Sequence, residues 1–303
     1  MLWTEKYRPS KLTEIRGQTN FTTDAYSWIE ENNMPNLLIY GQYGTGKTAA
    51  SIVLAKSILK DDFKNNYIEI NASDDRKLET VRTTIKNVAQ SMTLGDAPFR
   101  IIHLDEMDGM TSDAQNALKR IMERYADNVR FIITCNDRNK IIFALQSRCA
   151  NYNFKPVSNE SMLEVVKDIL SKERVTTFQE EDLKEFIYSM NGDLRRAITE
   201  LQAAKSSKTT LRKQVESGLE EYQKILIKIT DKNSNTIIDM HNLIYEGRSM
   251  KEICNGLHDV VIGSTGLDTA QKFKLLRVIG EAEWRSSTMT PKILASWMVG
   301  QLL

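Results

Sequence analysis

The chain has 303 residues, of which 27% are charged, and its 41 lysines and arginines against 40 aspartates and glutamates give a formal net charge of +1. This length predicts two or three domains with enough residues for a sizeable core. The balanced charge excludes a global field that attracts nucleic acid, so any DNA surface must be local.

Cysteine spacing and hydropathy narrow the class of protein further. The three cysteines, Cys135, Cys149 and Cys254, share no C-x-x-C spacing and are interpreted as packing residues. This pattern indicates a reducing compartment and argues against a disulfide or zinc framework. The sequence has neither a membrane-length apolar run nor a signal peptide, so we expect a soluble intracellular protein with no membrane partner.

The N-terminal segment contains two aromatic residues, Trp3 and Tyr7, just before Pro9. Because a proline disfavours helical backbone in the residue before it, we expect residues 1–20 to form an irregular arm rather than a helix. A disordered terminus is the plain alternative, although two aromatics so close together are unusual for one. A helix is expected to follow over residues 22–31.

A phosphate-binding pattern, G-x-x-x-x-G-K-[ST], occupies residues 41–48. An apolar run at 36–40 precedes it and a helix-like run at 49–59 follows, so its context is strand, loop and helix. Glycines allow several backbone N–H groups to point at one anion, and the helix adds its positive N-terminal end. Lys47 is expected to reach the β and γ phosphates, and Thr48 to ligate magnesium. The predicted nucleotide-binding residues of this loop are Gly41, Gly44, Thr45, Gly46, Lys47 and Thr48.

A cluster of cations follows a predicted strand at 67–70. The next segment, 75–91, is predicted to be a helix because its apolar residues Leu78, Val81, Ile85 and Ala89 recur with a period near 3.6. Such a cluster is either a solvated helix face or a local surface for nucleic acid. The cations that lie off the apolar stripe are Arg76, Lys77, Arg82 and Lys86.

Residues 100–106 are predicted to form an apolar strand that ends in Asp105 and Glu106. Asp105 is expected to hold magnesium, usually through water, and Glu106 to activate the water that attacks the γ phosphate. Acidic pairs also end strands for structural reasons, but a phosphate loop upstream favours the nucleotide site. A strand at 129–136 ends in Asn136. Because polar ends of parallel strands lie side by side where ligands bind, Asn136 should fall next to Glu106.

Strands alternate with helices through residue 155, which predicts a mainly parallel sheet covered on both faces. Helices predicted at 158–171, 180–190 and 192–204 form a small lid, and residues 205–210 are the linker candidate. The remaining segment is predicted to contain four to five helices. These helices are expected to be antiparallel, and three apolar helical faces, of the kind that packs against a core, are predicted in them: Tyr222, Ile225, Leu226 and Ile229; Ile253, Leu257, Val260 and Val261; and Phe273, Leu276 and Ile279.

The predicted fold class is α/β, a P-loop parallel sheet with helices on both faces, followed by a small helical lid and an all-α C-terminal domain. The expected domain boundaries are 1–156, 157–206 and 207–303. The last of these segments contains no recognisable catalytic motif.

Eight motifs follow one another along the chain: Trp-Thr-Glu-Lys-Tyr-Arg-Pro (3–9), the phosphate loop, Asn-Ala-Ser-Asp (71–74), Leu-Asp-Glu-Met-Asp (104–108), Ala-Gln-Asn-Ala-Leu (114–118), Thr-Cys-Asn (134–136), Gln-Ser-Arg-Cys (146–149) and Gly-Asp-Leu-Arg-Arg (192–196). In order and approximate spacing they resemble those of the replication factor C small subunits, archaeal-type clamp-loader ATPases of the AAA+ superfamily. One such motif alone is a weak to moderate indication of the family, but eight motifs in this order indicate it specifically. The resemblance is dense to about residue 204 and looser beyond it.

The resemblance implies roles for particular residues. Backbone near Thr4 and Arg16 should line the base pocket. Asn136 matches the first sensor of the γ phosphate and Arg195 the second, delivered from the lid. Arg148 matches the arginine finger, a planar and permanently charged group that acts on nucleotide bound by the neighbouring subunit. The expected catalytic set is Glu106, Asp105, Asn136, Arg195 and Arg148.

The resemblance also implies two binding surfaces. In this family the helix at 75–91 and the helix after the Asp-Glu strand line a spiral of subunits and follow one DNA strand. Contacts of this kind go to phosphates and carry no sequence preference. The segment 90–99 should contact the sliding clamp. The expected DNA-binding residues are Arg76, Arg82, Lys86 and Lys119.

The function implied by the resemblance is that of a clamp-loader small subunit, in which residues 207–303 are expected to form a helical collar domain for oligomerisation. Such a protein is an ATPase that uses ATP and Mg²⁺ to load a ring-shaped sliding clamp onto primer-template DNA. Its expected partners are the large subunit and other small subunits of a hetero-oligomer, expected to be a pentamer, together with the clamp and the DNA. The expected location is the cytoplasm, or the nucleus for a eukaryotic source.

Two alternatives compete with this function. The first is another AAA+ DNA motor, such as a branch-migration helicase or an origin-binding initiator, but the sequence shows no helix-turn-helix domain at its C-terminus. The second is a ring subunit that does not hydrolyse ATP. Five intact residues argue against it: Lys47, Asp105, Glu106, Arg148 and Arg195.

Overall fold

The computed structural model describes residues 1–72, 83, 85–176, 178–207 and 211–302. By its internal contacts the chain divides into two compact units, Met1–Thr209 and Thr210–Leu303. The further division of the first unit at residue 156 stays a prediction. Within the described ranges, no helix is long and apolar enough to cross a membrane.

The first unit is built on a five-stranded sheet in the order β2-β3-β4-β1-β5, and all neighbouring strands are parallel. The predicted α/β fold with a parallel sheet is confirmed. In chain order the strands are β1 (Leu37–Gly41), β2 (Tyr67–Asn71), β3 (Arg100–Asp105), β4 (Val129–Cys135) and β5 (Ala150–Phe154).

Hydrophobic cores cover both faces of the sheet because successive strand residues point to opposite sides. Leu37 and Ile39 of β1 belong to one core with Leu54. Leu38 belongs to a second core with Leu118. All five side chains are fully buried, and each such burial stabilises the fold by about 1.5–3 kcal/mol relative to exposure.

Helices fill both sides of this sheet. Single 3₁₀ turns lie at Leu12–Glu14, Lys60–Asp62, Met107–Gly109 and Arg138–Lys140. The α-helices described in the first unit are α1 (Trp3–Lys6), α2 (Thr19–Glu30), α3 (Lys47–Leu59), α4 (Phe63–Asn66), α5 (Lys86–Gln90), α6 (Ser112–Arg124), α7 (Phe143–Gln146), α8 (Asn159–Lys172), α9 (Glu180–Ser189) and α10 (Leu194–Ser207).

The prediction of an irregular arm over residues 1–20 is wrong in part, since Trp3–Lys6 forms one helical turn and α2 begins at Thr19. Trp3 is 4% exposed, and its backbone N–H donates to Gln202 Oε1 at 2.8 Å. The arm is therefore ordered by contacts with α10, which is distant in sequence. The Gln18 side chain holds the start of α2 by pairing with the backbone of Lys155.

The predicted linker at 205–210 is wrong at its start, because residues 205–207 belong to α10. Lys205 Nζ pairs with Glu173 at 3.0 Å and lies 5.1 Å from the Trp3 ring centroid. These contacts stabilise the last turn of α10, which ends at Ser207 rather than at the predicted residue 204. The predicted helix at 75–91 falls mostly outside the described residues, which include its end as α5.

The second unit contains five described helices, within the predicted four to five: α11 (Leu211–Thr230), α12 (Thr236–Tyr245), α13 (Met250–Gly263), α14 (Thr269–Arg285) and α15 (Pro291–Leu302). The predicted buried faces of α11 and α13 are confirmed. The α14 prediction is wrong for Phe273, which is 69% exposed, and Leu276 is half-buried. The buried face of α14 is Leu275, Val278, Ile279 and Ala282.

Candidate nucleotide-binding site

The phosphate loop joins β1 to α3 and depends on two close backbone approaches. A Cβ on Gly41 would lie 2.1 Å from the Phe154 carbonyl oxygen of β5. Gly44 has a φ of +72°, and its Cβ would lie 1.7 Å from Asp193 Oδ1. Asp193 also accepts the Arg196 N–H at 2.9 Å at the start of α10. Glycine is therefore needed both for the turn and for its contact with the lid.

Lys47, the first residue of α3, connects the loop to the end of β4. Its Nζ donates to the carbonyl oxygens of Gly41 and Gln42, both at 2.8 Å, and to Asn136 Oδ1 at 2.9 Å. Burial lowers the pKa of Lys47, and the negative charge of Asp105 opposes this shift. The predicted sensor Asn136 thus contacts the predicted phosphate-binding lysine.

Thr48 and Asp105 lie together, as a shared magnesium site requires. Thr48 Oγ1 donates to Asp105 Oδ2 at 3.0 Å, while Asp105 Oδ1 accepts from the Thr134 hydroxyl and from the Glu106 N–H at 3.1 Å. A hydroxyl and a carboxylate are hard oxygen donors of the type that Mg²⁺ prefers. These residues fit the ion.

Glu106 adopts a left-handed backbone conformation with φ +54° and ψ +42°. This region is unfavourable for a residue other than glycine and costs on the order of 1–3 kcal/mol. The conformation turns the chain sharply after β3, and the Glu106 side chain is exposed at the end of the strand. Asp108, two residues later, accepts the Asn136 N–H at 3.4 Å, so the loops after β3 and β4 are linked.

One cavity of about 590 Å³ collects most of the predicted site residues. The arm, the phosphate loop, the strand ends and the lid all contribute to it. Its volume falls within the roughly 300–1,000 Å³ of small-molecule sites. Gly41 does not line the cavity, but its carbonyl oxygen accepts a hydrogen bond from Lys47, which does. The predicted residues that line the cavity are Thr4, Arg16, Gly44, Thr45, Gly46, Lys47, Thr48, Asp105, Glu106, Asn136 and Arg195.

Arg148 does not line this cavity. Its Nε donates to Glu123 Oε1 of α6 at 2.9 Å, and one terminal nitrogen donates to the Ala144 carbonyl of α7 at 2.7 Å. The hydrogen bond from Arg148 lowers the pKa of Glu123. Contacts with α6 and α7 therefore hold the guanidinium outside the nucleotide cavity of its own chain.

Two glutamines to which no sequence motif assigned a role organise the Arg148 segment. Buried Gln115 donates to the Met110 and Lys140 carbonyls and accepts the Ile142 N–H at 2.8 Å. Gln146 donates to the Ile141 carbonyl at 2.7 Å. Both glutamines lie within the motifs at 114–118 and 146–149. The sequence signal that could have identified Gln115 is a polar residue on the otherwise apolar face of its helix.

A cluster at Glu173 joins the arm to the lid, and we call it the arm–lid cluster. The Glu173 carboxylate accepts from Lys6 Nζ and the Tyr7 hydroxyl, both at 2.6 Å, and from Lys205 Nζ at 3.0 Å. These hydrogen bonds, the one from Lys6 first, lower the pKa of Glu173 to about 2. Local sequence could not reveal the cluster because its members are far apart in the chain.

The predicted DNA-binding residues are only partly described. Lys86 is exposed at the start of α5, and Lys119 is half-buried on α6. Arg76 and Arg82 lie outside the described residues. Lysines therefore occupy both of the helices expected to face DNA.

The segment 90–99, expected at the clamp, includes a well-anchored loop. Buried Arg100 donates to Ser91 Oγ at 2.5 Å and to the Met92 carbonyl at 2.6 Å. The side chain of fully buried Asn66 both donates to and accepts from the backbone of Leu94, at 2.7 and 3.0 Å. Met92 and Leu94 remain 86% and 55% exposed, so the loop presents two apolar side chains on an anchored backbone.

A phosphate loop, an acidic strand end, Asn136 at the end of the next strand and Arg195 of α10 around one cavity define a P-loop ATPase of the AAA class. Residues 37–157 match the family described as "ATPase family associated with various cellular activities (AAA)". The chain is 38% identical to the replication factor C small subunit of Methanococcus maripaludis strain C6 over 293 residues, which are 93% of this chain and 92% of that protein. The replication factor C small subunit of Archaeoglobus fulgidus is 45% identical over 203 residues, which are 67% of this chain and 63% of that protein. The chain belongs to the replication factor C small subunit family and is a nucleotide-binding ATPase.

Solved structures share the fold at much lower sequence identity. The Thermotoga maritima RuvB Holliday junction branch migration motor covers 96% of this chain with 85% of its own length, at a TM-score of 0.55 and 14% identity. A K64R mutant of the same protein has a TM-score of 0.59 over 83% of this chain and 85% of its own length, also at 14% identity. This likeness concerns the fold alone.

Proposed function

We propose that the chain is a small subunit of a clamp loader that uses ATP and Mg²⁺ to load a sliding clamp onto primed DNA. The observation that carries the proposal is the division of the predicted catalytic set. Four of its members, Asp105, Glu106, Asn136 and Arg195, meet the neighbouring Lys47 at one cavity, while Arg148 lies elsewhere. A cavity with its own arginine finger would suit a self-contained ATPase, whereas this arrangement suits a site shared between subunits.

Hydrolysis in this proposal depends on four residues with distinct roles. Lys47 exchanges its carbonyl partners for phosphate oxygens, and the Glu106 carboxylate takes a proton from the attacking water. Asn136 orients that water, and Arg195 of the lid stabilises charge on the transferring group. A bound Mg²⁺, held by Thr48 and Asp105, would supply neutralisation of phosphate charge.

The proposed partners follow from the surfaces outside the cavity. Arg148 acts on the site of a neighbouring subunit in a hetero-oligomer with a large subunit. Lys86 and Lys119 provide charges for the phosphates of primer-template DNA. Met92 and Leu94, on a loop whose backbone is anchored by buried Arg100 and Asn66, suit an apolar contact with the clamp. The relatives named above are archaeal, and we assign the complex to the cytoplasm.

A branch-migration motor is the competing function, since RuvB shares the fold. Sequence identity weighs against it, because the chain is 14% identical to RuvB and 36–45% identical to the replication factor C small subunits. A fold alone supports many functions. The match to one functional family over 93% of the chain therefore favours the clamp loader.

The test compares Lys47→Ala with Glu106→Gln in the complex assembled with its partner subunits. Lys47→Ala should abolish tight ATP binding and clamp loading, because it removes a phosphate contact. Glu106→Gln should keep ATP binding and stop turnover, because it removes the activation of water alone. Nucleotide affinity, ATPase rate and clamp transfer to primed DNA are measured. Equal loss of nucleotide affinity in both variants, or no stimulation of the wild-type ATPase by clamp and primed DNA, would contradict the proposal.

A further inference from the structure

His103 lies in the middle of β3 with no exposed surface. On one side its β2 neighbour in register is Glu69, and on the other its β4 neighbour is Ile132. Burial of an imidazole in an apolar layer is costly unless both ring nitrogens have hydrogen-bond partners. No sequence motif assigns His103 a role, and packing alone does not require a polar ring here.

Both nitrogens of His103 have partners. Nδ1 lies 2.7 Å from the Tyr67 hydroxyl of β2, and Nε2 lies 3.5 Å from Thr134 Oγ1 of β4. Thr134 Oγ1 in turn donates to Asp105 Oδ1, and the other oxygen of Asp105 accepts from Thr48. A chain of hydrogen bonds, with its longest link the 3.5 Å contact between His103 and Thr134, therefore crosses three strands and ends on the proposed magnesium ligand.

The number of available protons fixes the direction of this chain. The Thr134 hydroxyl has one proton, which the Asp105 carboxylate requires, so Thr134 accepts from His103 Nε2–H. A neutral imidazole protonated at Nε2 has an unprotonated Nδ1, which must accept from Tyr67. The Tyr67 hydroxyl is also placed to donate to Glu69 Oε2, at the longer distance of 3.2 Å, but the Glu69 side chain is exposed and water can hydrate it, whereas buried Nδ1 of His103 lies 2.7 Å from the same hydroxyl.

We propose that Tyr67 and His103 are positioning residues that orient the Asp105 carboxylate through Thr134 and so set the affinity of the site for Mg²⁺. The proposal rests on the proposed Mg²⁺-dependent binding of ATP. Tyr67 donates to His103, His103 donates to Thr134, and Thr134 donates to Asp105. Because the Thr134 hydroxyl accepts from His103, its own proton points toward the Asp105 carboxylate. Outer hydrogen-bond partners of this kind typically change metal affinity or activity about 10–100-fold.

The first test reads the tautomer of His103 directly. Protein labelled with ¹⁵N-histidine is measured by long-range ¹H–¹⁵N correlation, with the His103 signals assigned by their loss in His103→Gln. We expect a protonated Nε2 and a hydrogen-bonded, unprotonated Nδ1. In Tyr67→Phe, which keeps the ring stacked 4.7 Å from Phe63, the Nδ1 signal should move toward that of an unbonded nitrogen. A wild-type ring protonated at Nδ1, alone or together with Nε2, would overturn the proposal.

The second test measures the Mg²⁺ concentration for half-maximal binding of a fluorescent, non-hydrolysable ATP analogue to the full chain. Thr134→Val should raise it by about 10-fold or more. Tyr67→Phe should raise it by about 2- to 10-fold. Thr134→Ser keeps the hydroxyl and should behave as wild type. The control is Tyr152→Phe, which removes a β5 hydroxyl bonded to Asp24, and it should have no effect.

The outcomes separate this proposal from the function on which it rests. Absence of Mg²⁺-dependent nucleotide binding in the wild-type chain would overturn both. Normal wild-type binding with an unchanged Mg²⁺ requirement in Thr134→Val would overturn the positioning role alone. A larger requirement in Thr134→Val that Thr134→Ser restores would support it, because a purely structural role would lower thermal stability without a selective effect on Mg²⁺.

Discussion

At the scale of single residues, the arm–lid cluster shows how one carboxylate can connect distant segments. Glu173 is 12% exposed and accepts hydrogen bonds from two arm residues, Lys6 and Tyr7, and from Lys205 of α10. Both segments also contribute to the nucleotide cavity. Protonation of Glu173 should therefore weaken the hydrogen bonds that hold the arm against α10.

We expect Glu173→Gln to lower the melting temperature at pH 7, with a difference from wild type that disappears in acid. The folded pKa of Glu173, about 2, lies below the unfolded value of about 4.3. A depressed carboxylate stabilises the fold above the unfolded pKa, and this contribution is lost as the pH falls through the folded pKa. The gap between the two melting curves should close between about pH 4 and pH 2.

Thermal unfolding followed by circular dichroism checks this expectation. Glu181→Gln, which changes an exposed carboxylate on α9, is the matched control and should show no such pH-dependent gap. A gap for Glu173→Gln that stays constant down to pH 2 would mean that the side chain contributes by packing rather than by charge.

Residue spacing predicted the phosphate loop and the acidic strand end because these roles require particular residue types in a fixed local order. Lys47 and Asp105 could be found in this way. Glu173 and His103 could not, since their partners come from other strands and helices. Their positions become meaningful when the fold brings those elements together.

At the scale of elements, α14 shows the limit of helical periodicity. Its apolar residues Phe273, Leu275, Leu276, Val278 and Ile279 cover a wide arc, so more than one stripe fits the sequence. Packing within the second unit selects Leu275, Val278 and Ile279, and Phe273 stays exposed. The existence of a helix was predictable, but its rotation was not.

We expect Ile279→Ala to lower the free energy of unfolding of the second unit by about 2–5 kcal/mol, because it removes buried methyl groups and leaves a cavity. Phe273→Ala, the matched control on the same helix, should change that free energy by less than about 0.5 kcal/mol. Chemical denaturation of both variants measures the difference. A larger effect of Phe273→Ala would show that the sequence-based stripe was correct.

The two helices expected to face DNA permit a separate test. Lys86→Ala and Lys119→Ala should weaken binding to all DNA sequences alike, because each removes one cation from a phosphate. Each variant should reduce the slope of log affinity against log salt by about 0.9. Lys184→Ala, which changes an exposed lysine of α9, serves as the control. A titration of affinity against salt in which both variants keep the wild-type slope would return these lysines to an ordinary solvated surface.

At the scale of the whole molecule, the order of strands and helices was predictable because each parallel strand is followed by a covering helix with its own period. Most predicted strand and helix ends agree with the structure within two residues. The exceptions are Trp3–Lys6, the start of α2 and the end of α10, and each is stabilised by contacts with residues distant in sequence. Local preference cannot anticipate contacts of that range.

The position of Arg148 makes a prediction about assembly. Because its guanidinium contacts Glu123 and Ala144 and does not line the cavity of its own chain, Arg148→Ala should leave that chain's nucleotide affinity nearly unchanged. Hydrolysis should fall at the neighbouring site that receives the side chain. Arginine fingers contribute roughly 10³–10⁵ in rate, far more than a modest folding defect could explain.

Mixed assemblies distinguish a shared site from a self-contained one. Rings built with Arg148→Ala alone, or with Lys47→Ala alone, should not sustain turnover. Rings that contain both variants have some interfaces at which an intact Lys47 faces an intact Arg148, so part of the ATPase activity should return. Native mass spectrometry confirms the mixing, and steady-state hydrolysis measures the recovery. Full activity of Arg148→Ala rings, or no recovery in rings shown to be mixed, would reject the shared site, because either result requires each chain to complete its own catalytic set.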